Sequence, residues 1–496
     1  MNFDFTASRF AGVLLRGLRT LSLSLLLAGP VAAAAPGLEQ QASRFWQTVA
    51  ADAGERPALL HTHFSAGLRE RNGDESLLET FAMLAEALGP DLAALTPSAV
   101  IDDGEAGGEL QYTMADGRRL SLTLALSDHA PPKIDRFGVR PLPPEVTAVD
   151  PTQLPAAIGK HLDAEAEAGR FSGAVLVARG DDVLFARAVG LADRQTGRPN
   201  TLDTPINLGS ANKMFTAIAV AQLQAAGKLD WNDTVGRHLP DFPNAKIRDE
   251  VTIHQLLTHT SGVGSYWNEA HEARRHALDT QQAFLDTFVD QPLLFEPGQG
   301  NEYSNGGPVI LGLVIEALSG RGYYDYVREF IYRPAGMRGA DHYRRDDAEA
   351  GFALGYLRTK QGEWQDNTEG LSLRGSAAGG GYASARDLQA FARALSDGRL
   401  LPPEQLELLW KAHTRHGPDM GYGYLFSSGT VAGRRWIGHN GGAPGISAEF
   451  RFYPEEELAV VVLANQDNAA MALGEWLNAL VAVSLGETSP EAPPAE

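Results

Sequence analysis

Residues 209–223 read GSANKMFTAIAVAQL. From Met214 onward the run is apolar, with Phe215, Ile218, Ala219 and Val220 and almost no charge. A helix apolar on all sides is a buried helix. Lys213 opens it, so its amine is expected to sit partly desolvated. Ser210 lies three residues earlier, one helical turn away on the same face. A serine hydroxyl is a poor nucleophile until a base takes its proton. A lysine can be that base once burial or nearby positive charge lowers its pKa. The dipole of a helix N-terminus favours the negative charge that then develops. Ser-x-x-Lys occurs once in this chain. Alone it also fits a solvated lysine one turn after a capping serine, and the apolar context counts against that reading.

Two further segments raise the odds. PGQGNEYSN carries Tyr303 and Asn305. A tyrosine near a lysine can become phenolate-like or pass a proton to a leaving group. An asparagine can hold a substrate amide and orient the lysine. Tyr266 and Asn268, in SYWN, repeat the spacing and are a rival. Tyr303 is favoured because its flank reads as a tight loop leading into the apolar helix PVILGLVIEALSG, whereas Tyr266 reads as a pocket rim. The third segment is GHNGGAPG, after the expected strand RRWI. Its glycines would let a substrate backbone approach His439 closely. The N–H groups of Gly442 and Ser210 could pair as an oxyanion hole.

The chain has 496 residues, 44% hydrophobic and 21% charged, ordinary for a globular protein with two or three domains. A net charge of −20 argues against nucleic acid and anionic membrane surfaces as partners. Without cysteine there is no thiol nucleophile, disulfide or thiolate metal site. No metal site is expected: His271 and His276 in HEARRH are five apart, about 140° around a helix. His61 and His63 read as a surface loop. No cofactor is expected either. Arg9, Arg16 and Arg19 before LSLSLLLAGPVAAAAP read as a signal peptide over 1–34, cleaved near Ala34, which implies a periplasmic or secreted protein with no later membrane span.

Residues 36–145 read as a small α+β domain of unassigned role. Helices over 37–88 come first, then strands at ELQYTM, RRLSLTLALS and KIDRFGVRP, with a turn at Asp116-Gly117 and a linker at Pro141, Pro143 and Pro144. Residues 150–486 read as a second domain. It has strands at both ends (FSGAVLVAR and DVLFARAVGLAD, then RRWIGHN, SAEFRFYP and LAVVVLAN), helices between and a closing helix at Ala469–Leu485. That order suggests one sheet built from both termini of the domain with a helical region inserted. The proline-rich acidic tail, 487–496, reads as disordered.

Ser-x-x-Lys, then Tyr-x-Asn, then a Lys- or His-x-Gly strand resembles the serine β-lactamase and penicillin-binding protein superfamily. LLTHTSGV at Leu256–Val263, GGGYASARDLQAFARAL at Gly379–Leu395 and the closing FRFYPEEELAVVVLANQDN resemble its class C and DD-peptidase branch. The resemblance covers roughly Asp150 to Leu485. It implies an α+β fold, an antiparallel sheet flanked by helices plus an all-helical region carrying Ser210. It implies Ser210 as the acylated nucleophile, Lys213 as its base and Tyr303 as a proton shuttle that also helps activate the deacylating water. Asn305 would bind the substrate amide, and His439, Asn440 and Gly441 would face substrate from the strand. The N–H groups of Ser210 and Gly442 would form the oxyanion hole. His259 reads as structural, since His, Ser and Thr there can satisfy loop backbone groups.

One departure matters. Class C β-lactamases have Lys-Thr-Gly where this chain has His439-Asn440-Gly441. A histidine is mostly neutral near pH 7, so the permanent charge that would pair with a β-lactam carboxylate is missing. Esterase-like relatives and some DD-peptidases resemble this chain in having His there. The expectation is an exported serine hydrolase acting on amide or ester substrates, small molecules or cell-wall peptides, with weak β-lactamase activity at most. The alternative is a cell-wall peptide or penicillin-binding protein on the same scaffold with little turnover.

Overall fold

The computed structural model describes residues 37–485 apart from 90–91, 93–94, 103–106, 115–118, 128–131, 143–144, 348–350, 360 and 416–419. The leader over 1–34, the Asp116-Gly117 turn, Pro143, Pro144 and the tail over 487–496 lie outside the described residues. The chain divides into two compact units, 1–146 and 147–496.

In the first unit four helices, α1 (Leu38–Ala50), α2 (Arg56–His63), α3 (Ala66–Asn72) and α4 (Asp74–Leu88), precede four strands. The strands β1 (Pro97–Asp102), β2 (Gly107–Thr113), β3 (Arg119–Leu126) and β4 (Ile134–Leu142) form an antiparallel meander in that order. β1 escapes a sequence reading because it is an edge strand, opening on proline and ending on aspartate, both depleted in strand interiors. Phe45, Phe64 and Phe81 lie in the core and the half-buried Phe137 packs against them, the four ring centroids 5.0–6.1 Å apart. His61 and His63 end helix α2 rather than lying in a loop, and His63 Nδ1 meets Thr48 Oγ1 at 3.0 Å.

The second unit is organised by one eight-stranded antiparallel sheet. Helix α5 (Leu154–Glu167) leads into β5 (Gly173–Arg179) and β6 (Asp182–Val189). The remaining strands come from the other end: β7 (Thr414–Arg415), β8 (Met420–Tyr422), β9 (Ser427–Val431), β10 (Arg434–Ala443), β11 (Ile446–Tyr453) and β12 (Leu458–Ala464). The order is β7-β8-β9-β10-β11-β12-β5-β6, closed where Val461 on β12 pairs with Leu176 on β5. The two-ended sheet expected from the strand order is therefore present, and β7–β9 extend it beyond the strands legible in the sequence.

Both faces of this sheet are covered, so β11 and β12 are buried along their whole length; β12 is a continuous apolar run, as strands covered on both faces tend to be, whereas β11 also buries Ser447, Glu449 and Arg451. Successive strand side chains point to opposite faces. Phe450 meets Phe391 of helix α8 (Ala385–Ser396) at 5.7 Å between centroids. Its neighbour Arg451 instead pairs with Glu475 of the last helix, α9 (Ala469–Ser484), so α8 and α9 lie on opposite faces.

Between the two strand groups runs the opening stretch. Residues 209–212 form a 3₁₀ turn and Lys213–Ala225 the helix α6. Every residue from Lys213 to Ala221 is buried, as an all-round apolar helix requires. Each large side chain sequestered this way contributes roughly 1.5–3 kcal/mol of hydrophobic stabilisation. That is what can hold a lysine amine inside the protein.

Candidate active site

Ser210 sits on the 3₁₀ turn, just before the α-helix rather than in it. At three residues per turn, positions i and i+3 eclipse, and Lys213 Nζ lies 3.1 Å from Ser210 Oγ. The same nitrogen lies 2.8 Å from Asn305 Oδ1 and 2.6 Å from the Ala378 carbonyl. None of these partners is a carboxylate. Lys213 is fully buried, and that burial holds its amine well below the usual lysine range. A neutral amine has two N–H groups and one lone pair. The two carbonyl oxygens can only accept, so they take the N–H groups. The lone pair is left facing the Ser210 hydroxyl, which donates to it. This is the geometry of a base poised on a nucleophile.

The partners are themselves held. Asn305 sits at the N-cap position of helix α7 (Gly306–Ser319), and its Nδ2 donates to Ser265 Oγ at 3.1 Å. Both ends of its amide are thus used in orienting Lys213. Ala378 belongs to a glycine-rich loop clamped along α6. Asn212 Nδ2 donates to the Ser376 carbonyl (3.3 Å) and Thr216 Oγ1 to the Ala377 carbonyl (2.7 Å). Three successive carbonyls therefore meet three side chains of one helix start. An alanine that acts through its backbone leaves no side-chain signal, and Ala378 was not legible in the sequence.

Tyr303 closes the cluster. Lys213 Nζ lies 4.8 Å from its ring centroid. The surroundings raise the phenol's pKa by desolvation, a hydrogen bond with Ser210 opposing; 39% of the residue is exposed, so solvent tempers the rise. The phenol is therefore protonated near pH 7, a donor rather than the resting base. A lysine that has taken the serine proton becomes a cation near the Tyr303 ring, a favourable placement. Tyr266 lies close enough to Tyr303 to act on it electrostatically, but the hydrogen bonds of Lys213 go to Ser210, Asn305 and Ala378 and not to Tyr266 or Asn268. Asn268 caps the helix Glu269–Arg274 by accepting from His271 N. Tyr266 is buried against His271 and Phe284, and burial pushes its phenol up to about 12. Tyr303→Phe is expected to lower turnover by about 10²–10⁴-fold, the range for a proton-transfer group. Tyr266→Phe is expected to cost only about 1 kcal/mol of stability for its lost hydrogen bond to Ser376. Steady-state kinetics on the two variants check this, and the reverse ranking would make Tyr266 the shuttle.

Strand β10 brings the third segment. His439 is buried, and burial first, with any charge that Lys213 takes up second, pushes its imidazole down to about 3. It is neutral over the working range and supplies no cation. Asn440 points to the opposite face, its Nδ2 3.7 Å from Met471 Sδ, so its side chain is not in the cluster. Gly441 faces the nucleophile turn: a Cβ there would sit 1.8 Å from the Leu208 carbonyl oxygen and 2.8 Å from Ser210 N. Gly441 is thus a glycine because the protein's own turn fills its space. Gly209, at φ +50°, mirrors it, since a Cβ there would fall 2.6 Å from Gly442 N. These approaches bring Ser210 N and Gly442 N to one place, where they could receive an oxyanion.

Residues 157–483 match the family model described as Beta-lactamase. The chain is 30% identical over 319 residues to penicillin-binding protein 4* of Bacillus subtilis (strain 168), across 61% of this chain and 69% of that protein. It is 37% identical over 215 residues to esterase EstB of Burkholderia gladioli, across 40% of this chain and 54% of that one. A solved structure of a penicillin-binding protein from Bacillus halodurans superposes with a TM-score of 0.60 at 34% identity, covering 64% of this chain and 99% of that one.

Proposed function

The chain belongs to the beta-lactamase family and is a serine hydrolase, and from that premise we propose that it works through an acyl-enzyme on Ser210. Lys213 takes the serine proton as Oγ attacks the substrate carbonyl. The N–H groups of Ser210 and Gly442 receive the negative charge on the carbonyl oxygen. The proton passes by way of Tyr303 to the leaving group, and the same pair then activates the water that releases the acyl group. The observation that carries this reading is the contact set of Lys213: two acceptor-only carbonyls and the Ser210 hydroxyl around one buried nitrogen.

The substrate reading is an ester or amide, DD-peptidase-like or esterase-like, with weak β-lactamase activity at most. The neutral His439 favours it, because that strand offers no fixed charge to a β-lactam carboxylate. Trp267, two residues past the Ser265 that holds Asn305, is 48% exposed and suits an apolar group on the substrate. We propose export as well, from the basic and apolar N-terminal segment.

Intact-mass spectrometry of the protein recovered from the periplasm or medium tests these together. A fluorophosphonate is expected to add once, on Ser210, and Ser210→Ala to abolish the adduct. Labelling that survives this substitution would place the nucleophile elsewhere. A penicillin is expected to react slowly, and an adduct that never recovers would instead favour a binding protein. The unmodified mass reads whether the leader has been removed.

A further inference from the structure

Tyr422 lies on β8, in a strand with no apolar pattern, and nothing in the proposed reaction uses it. It nevertheless joins two histidines. His259 Nε2 and Tyr422 Oη are 3.0 Å apart, and Tyr422 Oη and His439 Nε2 are 3.0 Å apart. Backbone groups hold both ends. Ser304 N donates to His259 Nδ1 at 3.2 Å, and His439 Nδ1 meets the Asn440 carbonyl.

The polarity of this chain follows from its ends. A backbone N–H only donates and a backbone carbonyl only accepts. His259 Nδ1 therefore carries no proton, so Nε2 does, and it donates to the Tyr422 oxygen. From the other end, His439 Nδ1 must carry the proton given to Asn440, so Nε2 of the neutral ring only accepts, and it accepts from the Tyr422 hydroxyl. The assignments made from either end agree on Tyr422 as the link. His259 also holds a left-handed backbone at φ +59°, a conformation uncommon outside glycine that persists where the surroundings demand it. Its ring lies 4.4 Å from that of Tyr303.

Resting on the serine-hydrolase reading above, we propose that Tyr422 is a positioning and specificity residue: it holds His439 as the Nδ1–H tautomer with Nε2 occupied, so the site offers no donor from this strand and turns away acyl substrates that carry a carboxylate beside the scissile bond. Among the described residues, the groups facing His439 are Tyr422 from β8, Lys213 from α6, Tyr303 from the loop before α7 and the Asn440 carbonyl. None is an acid that would favour an imidazolium. The proposal selects the esterase-like arm over a peptidase of free C-terminal peptides.

The test is a matched pair, a penicillin and its methyl ester, with acylation rates read by intact mass from pH 8 to pH 5. In the wild type the acid-to-ester rate ratio is expected to be low and flat with pH. Tyr422→Phe opens Nε2 to a proton or to the carboxylate, and the ratio is expected to climb about tenfold or more towards pH 5. A low, flat ratio in a Tyr422→Phe protein that still reacts with the ester would overturn the proposal. Nitrogen-15 spectra of the wild-type imidazoles provide the check if the variant does not fold. His439 is expected as the Nδ1–H tautomer, neutral down to pH 5; an Nε2–H tautomer, or titration above pH 5, would sink the idea. A missing fluorophosphonate adduct would instead remove the acyl-enzyme reading while leaving this tautomer readable.

Discussion

Lys213→Met is expected to slow acylation of Ser210 by about 10²–10⁴-fold, the range for loss of a positioned general base. The loss should appear in the rate of fluorophosphonate or ester acylation and not in substrate capture. The same substitution has a stability signature that a solvated lysine would not give. In the folded protein the amine sits well below the lysine range because it is buried, while in the unfolded chain it titrates as an ordinary lysine. Between those two values the unfolded state binds one more proton than the folded state. Stability then rises with pH, since its slope follows the protons bound by the unfolded chain minus those bound by the native one. The wild type should gain on Lys213→Met by about 1.4 kcal/mol per pH unit through that window, up to the pKa of an ordinary lysine, and no further. Denaturant melts of both proteins at several alkaline pH values read this directly. Equal slopes would mean that Lys213 stays charged in the folded state, and the base would have to be sought elsewhere. The absolute gap at one pH is less telling, because methionine also leaves Asn305 Oδ1 and the Ala378 carbonyl without the lysine's N–H groups.

What made this site legible was contrast. A lysine at the head of an apolar run stands out because burying it is costly, and β12 and all of β5 but its last residue stand out because they are continuous apolar runs. The family and fold inferred from the motif order are those that the comparisons and the sheet show. The spacing of Tyr-x-Asn could not by itself separate Tyr303 from Tyr266. The three-dimensional difference is that Asn268 caps a helix while Asn305 meets the lysine. Strands β8 and β9 went unread because Met420–Tyr422 is three residues with a glycine at its centre and another after it, and Ser427–Val431 has no apolar alternation. Tyr422 was hidden with them. Ala378 was hidden because its contribution is a carbonyl, and Asn440 reads as a site residue only until strand alternation turns its side chain away.

Gly441→Ala is the second change expected to be severe, and the argument is steric. The added methyl would fall 1.8 Å from the Leu208 carbonyl oxygen and 2.8 Å from both Ser210 N and Ala211 N. All three are backbone atoms, which cannot swing aside as the end of a flexible side chain can. Either β10 lifts off the nucleophile turn or the turn distorts. Both outcomes pull Ser210 N away from Gly442 N. Loss of one oxyanion-hole donor typically costs about 10²–10³-fold in kcat, so acylation is expected to fall at least that far. Overpacking of this kind commonly costs about 1–3 kcal/mol as well. Gly442→Ala is the control one residue away. The nearest atom to its Cβ is the Ile446 carbonyl oxygen at 3.9 Å, an ordinary contact, so its melting temperature should match the wild type. Thermal melts and fluorophosphonate labelling rates of the two variants decide the matter. If Gly441→Ala labels at the wild-type rate, the close approach of strand and turn is not what aligns the two N–H groups. If both variants lose labelling while Gly442→Ala keeps its melting temperature, the demand for glycine at 442 comes from the substrate's approach rather than from the fold.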